Sequence, residues 1–476
     1  MVTGNLGEVF PVSCVPVLPG DTMQGHTSAL IRVSPLNTAV MHPCTVRTHT
    51  FFVPNRIVWD GWEDFITGGN DGQGEGQTMP TYPQSANKKG IPSYLGIPPL
   101  VGPVVSELSL RAANLIWNEY YRDQDLAAER TLNNTATMNC AWEKDYFTSA
   151  RPWSQRGPDV SLPMGDTAAV VGQGAPTFDN GSATPYGTLQ NLNSSDATVG
   201  VANNTTQTGT LNWDDPALIA DLSTATSPAV NDFRAAFALQ RYQEARARYG
   251  ARFTEYLRYL GITPSDSRLQ RPEFISGGTT RLNFSEVLQT APSSDRTPGG
   301  PGEDLGVGDI YGHGIAGLKT GRWRKFFEEH GYLITMLSVR PKSIYLNGVP
   351  REFLKTTKED FFQKELANLG QQEIYNSEIA GDAAEQTGVF GYQDRYHEYR
   401  SHPSQISQDF RDTLNSFHLG RDLSASTVLN EDFIKCVPSR RIFQVTDSTV
   451  DTLWCMVNNH LVARRMVPKR ANPRIL

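Results

Sequence analysis

What most constrains this chain is the spacing of its strand-like stretches, which recur from Ala29 to Val462 with no fixed period. The stretches Ala29–Val33, Thr45–Val53, Thr279–Leu288, Tyr332–Leu346, Arg441–Val445 and Thr449–Val462 mix β-branched and aromatic residues with partial alternation. Several stop at turn signals such as Val53-Pro54-Asn55 and Leu346-Asn347-Gly348. Strands from both ends of the chain must therefore share one core. The long unequal intervals exclude a propeller or a regular meander and fit a Greek-key sandwich with decorated loops. All-β folds carry long insertions without splitting, so residues 1–476 are expected to form one domain. The 41 Gly and 30 Pro agree with many turns around a real core.

Some decorations read as helices. The clearest runs from Ser227-Pro228 to Gly261, where Ser caps, Pro fits the first turn and Gly ends the helix. Its stripe of Phe233, Phe237, Tyr242, Ala245, Tyr249, Phe253, Tyr256, Leu257 and Leu260 predicts a core-facing or subunit-facing side. Helices are also predicted over Thr357–Gly370, with Thr357 and Asp360 as a capping pair, and over about Val104–Arg130. Met164–Thr226 differs from all of these. It is rich in Gly, Ser, Thr, Asn and Ala, with few large apolar residues beyond Val170, Phe178, Tyr186 and Trp213, and reads as a polar surface-loop insertion within the domain. A plain loop and an exposed recognition loop both fit it. The Gly/Pro cluster Pro298–Gly314 reads as simple loop.

The formal charge of -7 excludes a general nucleic-acid condenser, so any DNA contact must be local. Cys14, Cys44, Cys140, Cys436 and Cys455 form no C-x-x-C pair and are odd in number; they read as reduced, buried thiols. Met1–Gly20 lacks the basic start and apolar run of a signal peptide, and no stretch is long and apolar enough to span a membrane, which points to synthesis in the cytoplasm.

Motifs for catalysis are weak. Gly72-x-Gly74-x-Gly76 lacks the flanking strand, helix and Lys-Ser/Thr of a phosphate cradle and reads as a turn-rich loop. His397-Glu398 and His402 approach a zinc-protease pattern, but the second His is one residue too far along and Pro403 follows, so ordinary hydrogen-bonded histidines explain them. No G-x-S-x-G elbow is present. No catalytic, metal or cofactor residue is assigned.

The carboxyl end carries more information. After Asp451 there is no acidic residue, while Arg464, Arg465, Lys469, Arg470 and Arg474 accumulate. Clustered cations without local partners suit phosphates, an acidic face of a neighbouring subunit, or plain solvation as a basic tail.

At several separated places the chain resembles the major capsid protein of microviruses, the family that includes the gokushovirus shell proteins. The stretches that carry the resemblance are Phe51-Phe52-Val53-Pro54-Asn55-Arg56 with Trp59 and Trp62, and Trp117-Asn118-Glu119-Tyr120-Tyr121-Arg122-Asp123. Asp145-Tyr146-Phe147-Thr148-Ser149-Ala150-Arg151-Pro152-Trp153 runs into Gln155-Arg156-Gly157-Pro158. Ser267-Arg268-Leu269-Gln270-Arg271-Pro272-Glu273 and Glu329-His330-Gly331-Tyr332 complete the set. The resemblance implies a mainly β chain with a single eight-stranded antiparallel jelly roll, long loop insertions and a few helices. It implies a structural shell subunit, not an enzyme, that assembles through pentamers into a T=1 icosahedral capsid around circular single-stranded DNA. The implied partners are further copies of the chain, the single-stranded DNA genome, a small basic DNA-binding virion protein, scaffolding and pilot or minor virion proteins, and a host surface receptor. The implied location is the virion. Met164–Thr226 is the natural counterpart of the insertion that projects near the three-fold axes of gokushovirus-like shells.

Two other classes compete. A carbohydrate-binding or carbohydrate-cleaving β-sandwich would use aromatic loops and a carboxylate pair. A single-strand DNA-binding protein is disfavoured by the negative charge and the lack of a compact binding module.

Overall fold

The computed structural model describes residues 1–69, 77–83, 89–100, 102, 104–160, 169–172, 177–179, 187–191, 199–201, 212–215, 218–221, 230–250, 252–288, 290, 310–423 and 427–467. Its main element is a ten-stranded antiparallel sheet. Nine of its strands are β1 (Val2–Gly4), β2 (Glu8–Val17), β3 (Thr22–Val33), β4 (Cys44–Pro54), β5 (Glu273–Leu288), β6 (Ile310–Lys319), β7 (Trp323–Phe326), β8 (Gly331–Pro341) and β9 (Leu453–Arg464). They follow the order β1-β9-β3-β6-β5-β4-β8-β2, then Met138–Asn139, with β7 also pairing β3. The expectation of a mainly β chain with antiparallel sheets and few helices is met.

β5 is the hinge of this path. Its first part, Glu273–Leu282, pairs with β4, and its second, Asn283–Leu288, pairs with β6. One hydrophobic cluster takes Ile31 of β3, Leu318 of β6 and Leu453 of β9 together with Val46 of β4, Leu337 of β8 and Phe10 of β2. The two halves of the sheet therefore bury their inner faces against each other, and strands from both ends of the chain meet there. Alternation is clean in β3, where Met23, Gly25, Thr27, Ala29, Ile31 and Val33 are buried and the residues between them are not.

The outer faces differ. A second cluster packs Phe51 and Val53 of β4, Ile334 and Met336 of β8 and Val9 of β2 beneath helix α1 (Leu108–Tyr120), through Leu108, Leu110, Ala113, Ile116 and Trp117. This is why β8 reads as an almost continuous apolar run: it is covered on both faces. On the other half, the outward residues of β9 and β3 stay accessible, with Trp454 47% and Met456 56% exposed.

Several expectations change. β2 was hidden by its prolines: Pro11 sits opposite Met336 where the register shifts, so the strand tolerates it at a bulge. Ile310–Gly314, expected as loop, opens β6. Its glycines allow close approach, because a Cβ on Gly312 would lie 2.1 Å from the Thr38 carbonyl oxygen. Arg441–Val445 is not a strand; Ile442 and Phe443 are apolar because they plug the core. β8 ends at Pro341 instead of Leu346.

Among the helices, α1 is shorter than Val104–Arg130, since Val104–Ser106 pairs with Thr81–Pro83 and an Asp123 turn follows Tyr121. The long helix is two, α2 (Val230–Tyr249) and α3 (Phe253–Tyr259), broken at Gly250, whose φ is +88°. Thr357–Gly370 makes only short 3-10 turns. The Thr357–Asp360 capping box forms, but the N–H groups of Phe362 and Gln363 donate to the Tyr399 and Tyr396 hydroxyls and not back along a helix.

The chain divides into two compact units, one of Met1–Ser154 with Arg246–Leu476, the other Gln155–Ala245. The second contains Ala169–Gly172 paired with Leu218–Asp221, and four short strands in the order Val199–Val201, Gly187–Asn191, Thr177–Asp179, Asn212–Asp215. The expected polar insertion falls within this unit, and much of it lies outside the described residues. Gly72, Gly74 and Gly76 also lie outside them.

Candidate nucleic-acid interface

The carboxyl-terminal cations begin on β9. This strand pairs along its whole length with β3, from Leu453 opposite Val33 to Arg464 opposite Thr22. Strand alternation turns Trp454, Met456, Asn458, His460, Val462 and Arg464 to the uncovered side. Arg464 is exposed and has no ion-pair or hydrogen-bond partner among the described residues. Arg465 points elsewhere: its Nε lies 3.0 Å from buried Asp21, and it donates to the Pro16 carbonyl. Lys469, Arg470 and Arg474 lie outside the described residues.

Neighbouring strands bring further cations to the face that Arg464 occupies. Arg32 of β3 lies opposite Trp454, and Arg324 of β7 lies opposite Gln24, itself opposite Val462. Lys319 ends β6 opposite Ser28, and Arg322 follows it in the turn to β7. His26 and His460 stack across the β3–β9 pair with ring centroids 5.1 Å apart. Partial desolvation, each other's proximity, and Lys319 and Arg322 hold the His26 imidazole below its ordinary range. Sequence reasoning did not group these residues, because register alone joins them. A signal was present nonetheless: Thr22–Val33, Ile310–Phe326 and Leu453–Arg464 contain no Asp or Glu.

At one end this face runs into a cavity of about 500 Å³ lined by Leu30, Arg32, Trp454 and Met456 from the sheet, and by Tyr94 and Lys89. Carboxylates close both ends in neutralised form, Asp451 with Lys89 at 2.7 Å and Asp21 with Arg465.

Elsewhere, charged groups serve structure. Asp123 is buried, which by itself would raise its carboxyl pKa, but Lys144 and Arg151 outweigh burial and hold it low. A cavity of about 380 Å³ beside Tyr146 and His397 contains Glu378 and Glu398, yet Glu378 is bound by Arg351 at 2.8 Å and Glu398 by Lys355 at 3.3 Å. His397 opens a 3-10 turn, and His402 Nδ1 lies 3.1 Å from the Pro403 carbonyl. Among the described residues no group of three or more His, Cys, Asp or Glu is arranged to hold a metal. All five cysteines are thiols, four of them buried and Cys14 half-buried.

The comparisons with known proteins agree on one family. The family described as Capsid protein (F protein) matches residues 1–473. The chain is 34% identical over 474 residues to Capsid protein VP1 of Bdellovibrio phage phiMH2K, covering 93% of this chain and 88% of that protein. It is 29% identical to Capsid protein VP1 of Chlamydia phage 1, covering 94% and 89%, and 29% identical to that of Spiroplasma virus 4, covering 90% and 85%. The resemblance to microvirus capsid proteins is thereby borne out: this chain belongs to the Capsid protein (F protein) family and is a capsid protein of the phage virion.

Proposed function

We propose that this protein is the major shell subunit of a small single-stranded DNA phage, assembling through pentamers into a T=1 icosahedral capsid around the circular genome. Family membership across residues 1–473 carries the reading. Its role is structural and not enzymatic. The two sheet halves support a jelly roll: β9, β3, β6 and the second part of β5 face the first part of β5 with β4, β8 and β2, which gives eight ladder positions. Exposed apolar side chains support assembly. Tyr249, Phe253, Tyr256, Leu260 and Ile262 stand open on and beside α3, a group of apolar side chains suited to burial against another subunit. The Met164–Thr226 insertion is an exposed excursion of this one-domain subunit, available for host contact.

Arg464, Arg465, Lys469, Arg470 and Arg474 supply local DNA contact, with Arg464 the freest of the two described. An acidic subunit cannot neutralise packed DNA alone, so a small basic virion protein shares that task, and scaffolding, pilot or minor proteins complete the particle. The test is the solution mass by light scattering with electron microscopy. Pentamers and closed particles are the expected result; a strict monomer at every concentration, with scaffolding proteins supplied, would overturn the reading.

A further inference from the structure

We infer that the outward face of β9, β3, β6 and β7 is a binding platform for single-stranded nucleic acid, with phosphates held by Arg32, Lys319, Arg322, Arg324 and Arg464 and bases received at Trp454 and Phe326. The inference rests on the shell-subunit reading for its partner, and on three independent features of this face for its place.

The first is charge. The strands that build the face carry no carboxylate, and the five cations have no ion-pair or hydrogen-bond partner among the described residues. In an acidic protein where other cations are matched to carboxylates, as Arg351 is to Glu378 and Lys144 to Asp123, or to backbone carbonyls, as Arg421 and Arg441 are, an unmatched group of five on one sheet face is a local positive field. A polyanion complements it, and each phosphate it neutralises releases counterions.

The second is the interleaving of flat side chains with these charges. Trp454 lies directly across from Arg32, Phe326 lies across from Thr22, which Arg464 flanks on the other side, and the His26–His460 stack lies between the two ends. Trp454 and Phe326 are 47% and 55% exposed, which is costly for large rings that have nothing to cover them. Cations along a groove with aromatic faces between them suit unpaired bases, since every base offers a face for stacking. A duplex hides those faces.

The third is length and shape. From Trp454 to Arg464 β9 extends for about 33 Å at the usual rise of a strand, enough for several nucleotides. At the Trp454 end lies the cavity of about 500 Å³, bounded by Arg32, Met456 and Leu30, into which a base can turn. At the other end the strand leads into the cationic carboxyl terminus.

The experiment is a salt titration of a labelled oligothymidylate against the full-length protein and a variant carrying Arg32→Gln, Lys319→Gln, Arg322→Gln and Arg324→Gln. These side chains are exposed, so the variant should fold and form particles as the unaltered protein does. Each lost phosphate contact lowers the slope of log Kd against log salt by about 0.7, so the variant's slope should be shallower by about 3. Lys358→Gln with Lys364→Gln, elsewhere on the surface, should leave it unchanged. The unaltered protein, cross-linked by light to bromodeoxyuridine-containing single strands, should label Trp454 or its neighbours on this face, a readout that needs no variant. An unchanged slope with cross-links elsewhere would overturn the inference, while normal particle formation in the same samples would keep the capsid reading intact. If the variant binds DNA normally but no longer forms particles, the face contacts an acidic surface of a neighbouring subunit and the inference fails. Absence of particles from the unaltered protein under all conditions would instead count against the shell-subunit reading.

Discussion

At the scale of single residues, two histidines tie stability to pH. Burial pushes the His42 and His49 imidazoles down to about 4, and at His49 the nearby Arg47 and Arg340 add repulsion. Both are therefore neutral in the folded protein at pH 7, His42 Nε2 lying 2.9 Å from the Lys342 carbonyl and His49 Nδ1 2.7 Å from the Tyr121 hydroxyl. Their folded-state values lie below the unfolded value of about 6.5, so the stability they lend is complete above that pH and is lost as pH falls towards 4. Each shift corresponds to about 3 kcal/mol at most. The urea midpoint of the unassembled subunit should fall between pH 7 and 4.5, and His49→Gln should flatten part of that fall. A midpoint constant across this range would mean that the imidazoles take up their protons at the same pH in the folded and unfolded states. Gly7 offers a second residue-scale expectation. Its φ is +84°, and an added Cβ would lie 2.2 Å from the Cys436 carbonyl oxygen. Its own N–H and C=O bond Val339 and Cys140, so the backbone cannot move away freely. Gly7→Ala should cost at least about 2 kcal/mol, seen as a lower denaturation midpoint.

At the scale of elements, the covered and uncovered halves of the sheet make opposite expectations. Ile116 is fully buried where α1 packs on β4 and β8, and Ile116→Ala should lose about 2–5 kcal/mol. Met456 stands on the open half, and Met456→Ala should stay within about 0.5 kcal/mol. Equal losses at both sites, measured by urea denaturation, would show that the open half is covered in the isolated subunit after all. The same contrast explains what could be read in advance. β3, β4, β5 and β9 were legible because one face or both are apolar and their ends carry turn residues. β2 and β6 were not, because Pro11 and the glycines of β6 look like loop until the bulge and the close approach at Thr38 are known. Ile442 and Phe443 misled in the other direction, being apolar for the core and not for a ladder. The aromatic stripe on the long helix was legible as an outward or inward face, but not the break at Gly250. The cationic terminus was legible as a charge run, whereas the cations that join Arg464 were not. Arg32, Lys319 and Arg324 are neighbours only through the registers of β3, β6 and β7.

At the scale of the whole molecule, apolar surface must be covered by something for the subunit to remain soluble in the virion. Around α3, Phe253 is 62% exposed and Tyr256 43%, their rings 6.3 Å apart and nearly parallel. Tyr249 and Tyr259 form a second pair at 4.4 Å. Side chains this open contribute little to the stability of the single subunit, but aromatic residues of this kind dominate contacts between subunits when buried there. Stability and assembly should therefore separate. Phe253→Ser with Tyr256→Ser should leave the denaturation midpoint of the isolated subunit nearly unchanged, because neither ring lies in the core. The same pair should weaken subunit association by about 2 kcal/mol or more, and light scattering should then show a rise of thirtyfold or so in the concentration needed for particles. If instead the midpoint falls and assembly is normal in the folded fraction, the rings support their own subunit and the shell contacts lie elsewhere. If neither changes, the apolar surface at α3 has no part in the shell. The double substitution distinguishes these outcomes because assembly and folding are read in one sample, and because Arg252 and Glu255, which anchor α3 to the Asn118 and Glu119 carbonyls and to Gln124, are left in place.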